Sequence, residues 1–183
     1  MTNNIRSLAL LLRARLFYHM KKICILSLCF YRLAMIAQNQ PIKRHAHTYD
    51  SGFDHKNNSS NFKNPHYWFN KGLKDTDAGN FDEALADFTK ALNLDSAYAD
   101  AYNYRGLVKC HFFDYYKAIM DFDKAIFYNP KEAANYNNRG AVFEEINMLE
   151  AAIKDYRKAV TLSPHIKRYT ENLDAALAKY NSR

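Results

Sequence analysis

The chain has 183 residues, 26 Lys and Arg against 19 Asp and Glu, and a formal net charge of +7. Residues 1–49 hold eight Lys and Arg and no acid, so residues 50–183 carry 18 bases against 19 acids, a net charge of −1. That near-neutral balance does not supply the phosphate neutralisation that nucleic-acid binding needs, and with Cys110 the only cysteine beyond position 29 the same region has no intramolecular disulfide and no CxxC metal pair.

In chain order, residues 1–37 read as a basic and apolar targeting segment. Met20-Lys21-Lys22 precedes an apolar stretch from Ile23 to Tyr31, and Ala37 stands before polar Gln38-Asn39-Gln40. This is the layout of an export signal cleaved after Ala37, with Met20 as a candidate start and a periplasmic or secreted destination. The apolar run of about 14 residues is shorter than the roughly 20 that span hydrocarbon. A membrane anchor is one alternative, and an organelle presequence built on the Leu- and Arg-rich segment from Arg6 to Arg15 is another. Residues 38–64 are polar and poor in branched apolar side chains, as in a flexible linker, and His45, His47 and His55 lack the rigid constellation a metal needs.

From residue 65 onward one unit of 34 residues is repeated three times, over 65–98, 99–132 and 133–166. Gly72, Gly106 and Gly140 keep that spacing, as do Ala84, Ala118 and Ala152, Ala91, Ala125 and Ala159, and the pairs Asp87-Phe88, Asp121-Phe122 and Asp155-Tyr156. A period of 34 is that of a helix-turn-helix solenoid. In the second half of each unit the apolar positions fall at offsets 0, 1, 4, 7 and 8, one helical face: Ala84, Leu85, Phe88, Ala91 and Leu92 in unit one. A glycine inside the first helix is expected where another backbone packs closely. Gly79-Asn80, Phe113-Asp114 and Asn147-Met148 mark the turns, with Asn80 and Asp114 suited to cap the second helix. Residues 167–183 carry Leu173, Ala176, Leu177 and Tyr180 at helical spacing and read as a capping helix over the last unit.

Trp68, Tyr102 and Tyr136, the three glycines, the alanine series and Pro130 and Pro164 resemble the signature of the tetratricopeptide repeat family. The resemblance implies an all-α, right-handed superhelical solenoid whose first helices line a concave groove holding a peptide or helix of a partner protein. The leucine expected before each glycine is a base here, Lys71, Arg105 or Arg139, and sixteen residues on lies Asp87, Asp121 or Asp155. A base on one helix and an acid on the other suggests an ion pair clamping each unit. Asp75, Lys109 and Phe143 replace a family tyrosine, so packing should vary there along the stack.

By the family's geometry the peptide-binding groove is lined by Phe69, Leu73, Asp77, Asp100, Asn103, Leu107, Asn137 and Glu144, with Glu145 beside them. Phe69 and Leu73 offer apolar contacts and the acids offer charge, which suits a peptide of apolar and basic character. The clamp some relatives use for a chaperone C-terminal carboxylate falls on Phe69, Leu73, Tyr104, Ala134 and Asn138, lacks the bases it needs, and makes that ligand unlikely. Adjacent Cys110 and His111 point about 100° apart on a helix and do not form a nucleophile and base. The expectation is a non-catalytic adaptor with no cofactor and no metal, binding a protein or peptide. The alternative is a cell-envelope assembly scaffold acting through membrane anchoring or self-association as a homo-oligomer, for which the aromatic residues at the turn of unit two are the first patch to consider.

Overall fold

The computed structural model describes residues 62–182. The targeting segment with its cleavage site, and the linker histidines, lie outside the described residues. Seven helices follow: α1 (Pro65–Asp77), α2 (Phe81–Leu94), α3 (Ala99–His111), α4 (Tyr115–Tyr128), α5 (Ala133–Glu145), α6 (Leu149–Leu162) and α7 (Lys167–Asn181). Among the described residues there is no strand, and no helix is long and apolar enough to cross a membrane. Each helix packs on its sequence neighbour, and the first helices of successive units also touch, α1 on α3 and α3 on α5. The result is an all-α solenoid of helical hairpins, in which every unit covers its apolar stripe with the next.

The repeated pattern of residue size explains the pairing. The second-helix stripe is fully buried at Ala84, Phe88 and Ala91, at Ala118, Phe122 and Ala125, and at Ala152 and Ala159, with Tyr156 at 2% exposure. The helix glycines meet the aromatic of this stripe. A Cβ on Gly72 would stand 2.8 Å from the Phe88 ring, one on Gly106 2.9 Å from Phe122, and one on Gly140 3.0 Å from Tyr156. The close neighbour is therefore mainly a side chain, not the second backbone expected from sequence, although at Gly140 the Ala152 carbonyl is also only 3.3 Å away. Small-on-large packing at one register locks each hairpin at a fixed helix separation.

The turns share one geometry. Gly79, Phe113 and Asn147 all have positive φ, at 81°, 59° and 65°. The next N–H in each case reaches back five residues, from Asn80 to the Asp75 carbonyl, from Asp114 to Lys109 and from Met148 to Phe143. This closure satisfies the last carbonyls of the first helix. Asn80 and Asp114 occupy the N-cap positions of α2 and α4, but their side chains make no capping bond; Asp114 pairs with Lys117 at 2.6 Å instead. Space around Gly79 is open, so Gly79→Ala tests backbone strain alone. It is expected to cost about 1 kcal/mol, seen as a lower urea midpoint. An unchanged midpoint would show that the turn relaxes freely.

At the C-terminal end α7 closes the stack. Ala176 is buried, and Leu173 and Leu177 pack against Ile153 and Tyr156. Tyr180 is 41% exposed, off the covering stripe, whereas Tyr169 is 2% exposed and packs with Ala133 and Ala159.

Candidate functional site

The bases on the first helices meet the acids sixteen residues on. Arg105 donates from Nε and Nη2 to the two carboxylate oxygens of Asp121, both at 2.8 Å, and Arg139 does the same to Asp155 at 2.7 and 2.8 Å. Lys71 bonds Asp87 and, at 2.8 Å, Asp75. The third nitrogen of each arginine reaches backwards by the same interval. Arg105 Nη1 donates to Thr89 at 3.3 Å, and Arg139 Nη1 to Asp123 at 2.5 Å. Each arginine thus ties its own hairpin together and joins it to the preceding unit, in the forked geometry that guanidinium favours.

Position-specific departures adjust the charge of this layer. Lys109 adds a second cation to Asp121 at 2.7 Å, Asp75 adds a second carboxylate to Lys71, and Phe143 lies under the Arg139 guanidinium at 5.8 Å. Hydrogen bonds to Asp75 and Asp87 raise Lys71 above the ordinary lysine value, and the Lys71 bond holds the Asp75 carboxyl down. Burial pulls Arg139 down, but its bonds to Asp155 and Asp123 more than offset this and leave it above its usual value. These contacts occupy the charges in holding helices together.

The expected groove residues divide into two sets. Phe69, Asn103, Asn137 and Glu144 are buried, at 9%, 6%, 1% and 8% exposure, and engage neighbouring helices. The reason is one recurring junction: the fifth residue of a unit meets the sixth of the next. Phe69 packs edge-on against Tyr104 at 5.5 Å. Asn138 Nδ2 donates to Asn103 Oδ1 at 3.0 Å, and Asn172 Nδ2 donates to Asn137 Oδ1 at 2.8 Å. An aromatic pair at the first junction gives way to amide pairs at the next two, so the fifth residue varies with its neighbour in the stack. Glu144 accepts from the Tyr156 hydroxyl at 3.1 Å and pairs with Lys179 of α7 at 3.6 Å.

The second set stays open. Asp77, Asp100 and Glu145 are exposed and Leu73 and Leu107 half-buried. Leu73 packs on the cluster that contains Phe69 and Phe88. Burial pushes the Tyr104 hydroxyl above the usual phenol value, and Asp100 and Asp77 push it further in the same direction. The two carboxylates come from different units, Asp77 from the end of α1 and Asp100 from the start of α3. Cys110 is buried, and the His111 ring stacks on Phe81 at 3.8 Å, with burial lowering its pKa and Asp82 opposing. Among the described residues no group of three or more His, Cys, Asp and Glu is placed to hold a metal.

Residues 63–109 match a family model described as TPR repeat, and residues 133–166 one described as tetratricopeptide repeat. The chain belongs to the tetratricopeptide repeat family. Solved structures with a similar fold include the first TPR of Spaghetti (RPAP3) bound to the HSP90 peptide SRMEEVD, at 24% identity and TM-score 0.63, covering 65% of this chain and 94% of that one. The Arabidopsis OM64 TPR domain is similar at 23% identity and TM-score 0.62, covering 65% and 98%. The first TPR domain of human RPAP3 is similar at 26% identity and TM-score 0.61, covering 66% and 98%. No curated protein matches the chain.

Within this TPR protein, sequence reasoning missed the backward arm of each arginine and the junction between fifth and sixth residues. The first had a legible signal: Thr89 and Asp123 precede Arg105 and Arg139 by the interval that separates each arginine from its own acid. The second was also present, as a spacing of 35 between Asn103 and Asn138 and between Asn137 and Asn172.

Proposed function

We propose that this TPR protein is a non-catalytic interaction adaptor that takes a basic and apolar peptide segment of a partner protein along the open part of its first-helix face. The observation that carries this reading is that Asp77, one turn beyond half-buried Leu73 on α1, and Asp100 on α3 both stand exposed on first helices. Two carboxylates next to apolar surface attract a cationic residue followed by an aliphatic one, and repel an acidic peptide. Glu145 extends the same sign into unit three. The peptide seen with the Spaghetti TPR, SRMEEVD, carries three acids and is of the opposite preference. Phe69, Asn103 and Asn137 act here as supports between units, not as first contacts.

Fluorescence anisotropy with a Lys- and Leu-containing peptide and with SRMEEVD tests the reading. The basic peptide is expected to bind with an affinity that falls as salt rises, and Asp77→Lys with Asp100→Lys to weaken it about tenfold. Preference for SRMEEVD, or indifference to the double charge reversal, would overturn it.

A further inference from the structure

The opposite side of the stack carries a surface that the groove does not use. On α4, Tyr116, Met120 and Phe127 are 75%, 66% and 74% exposed. They lie at i, i+4 and i+11, within about 40° of one another around the helix. The repeat supplies its own comparison. The same three positions are Asp82, Ala86 and Asn93 in unit one and Glu150, Lys154 and Thr161 in unit three, so the apolar stripe belongs to unit two alone. Because equivalent positions point to the same side of a solenoid, α6 presents Lys154, Arg157 and Lys158 on the face where α4 presents its stripe.

Those three cations are exposed and form no ion pair among the described residues. With Arg139, Tyr136 and Ile153 they line an open cavity of about 510 Å³ whose wall also carries Glu150 and Asp155, the latter bonded to Arg139, so that four bases face two acids. One hydrogen bond links the two: Asp123, between Met120 and Phe127 on α4, accepts from Arg139 in the cavity wall. An apolar ridge beside a hollow of net positive charge is complementary to an amphipathic segment with acids along one flank. A hollow receives side chains of a peptide, whereas a bilayer surface is served by a protruding apolar edge ringed with cations.

We propose that the α4–α6 face docks an acidic amphipathic helix of a partner protein, its apolar residues on Tyr116, Met120 and Phe127 and its carboxylates on Lys154, Arg157 and Lys158. The chain then has two faces of opposite charge preference and can bridge two proteins. This face is independent of the first-helix groove, and its test separates the two.

The test uses the full chain and a fluorescein-labelled helical peptide of alternating Leu and Glu faces, followed by anisotropy. Binding is expected to weaken at least tenfold in Met120→Asp and in Lys154→Glu with Arg157→Glu, and to be unchanged in Asp77→Lys with Asp100→Lys. Circular dichroism and melting of each variant check that it folds; the substituted positions are all exposed. Three results would overturn the proposal. The first is absence of binding, or binding that these variants leave intact. The second is retention on phosphatidylserine vesicles without peptide binding, which makes the face a membrane surface. The third is a concentration-dependent dimer that Met120→Asp dissolves, which makes it a self-contact.

Discussion

Asp121→Ala is expected to destabilise the protein by about 3–5 kcal/mol, the cost of removing one partner from a buried ion pair. Asp121 faces two cations that have little access to water, Arg105 at 2.8 Å and Lys109 at 2.7 Å, whose side chains are only 17% and 16% exposed, whereas the two cations on Asp87, Lys71 and Lys90, are 42% and 49% exposed. Without it both charges stay in a region of low water access with no anion between them. The two equivalent acids are backed up. Arg139 keeps Asp123 if Asp155 is removed, and Lys71, at 42% exposure, keeps Asp75 if Asp87 is removed. Urea denaturation of the three alanine variants should therefore rank the losses Asp121 first, then Asp155, then Asp87. Equal losses would mean that the ion-pair layer acts only through pairwise contacts, without the local charge balance described here.

Phe122→Ala should cost a similar 3–5 kcal/mol by a different route, the cavity left by a wholly buried ring. The ring lies against Gly106, at the centre of the middle unit. In a one-dimensional stack a weak middle unit also uncouples its neighbours, so the single unfolding transition is expected to broaden or split. Gly106→Ala gives a second reading of the same contact. Alanine favours the helix by about 1 kcal/mol, but its methyl would stand 2.9 Å from a ring that has no room to move, so the variant is expected to lose stability. Combined with Phe122→Leu, the loss should be smaller than the sum by about 0.5–3 kcal/mol. Strict additivity would show that the glycine and the ring are not in contact.

The proposed bridging role rests on charge more than on shape. Asp77, Asp100 and Glu145 lie on first helices, and Lys154, Arg157 and Lys158 on a second helix. The near-neutral total of residues 50–183 conceals this separation, because composition averages over faces.

The helical hairpins and their family were legible in the sequence because period and residue size are one-dimensional information. Glycine opposite an aromatic, alanine on the stripe and a turn every 34 residues must recur if identical hairpins are to stack. Even the sixteen-residue interval between base and acid could be read, since it is set within one hairpin. What only the tertiary structure decided is which first-helix side chains remain open. Phe69, Asn103 and Asn137 share a helical face with Leu73 and Leu107, but stacking brings the fifth residue of one unit against the sixth of the next and covers it. That contact is a property of packed units and is written in no single one of them. It turned the fifth residues of the units, Phe69, Asn103 and Asn137, into the joints of the stack, and left the exposed acids of the first helices and the apolar ridge of α4 as the surfaces open to a partner.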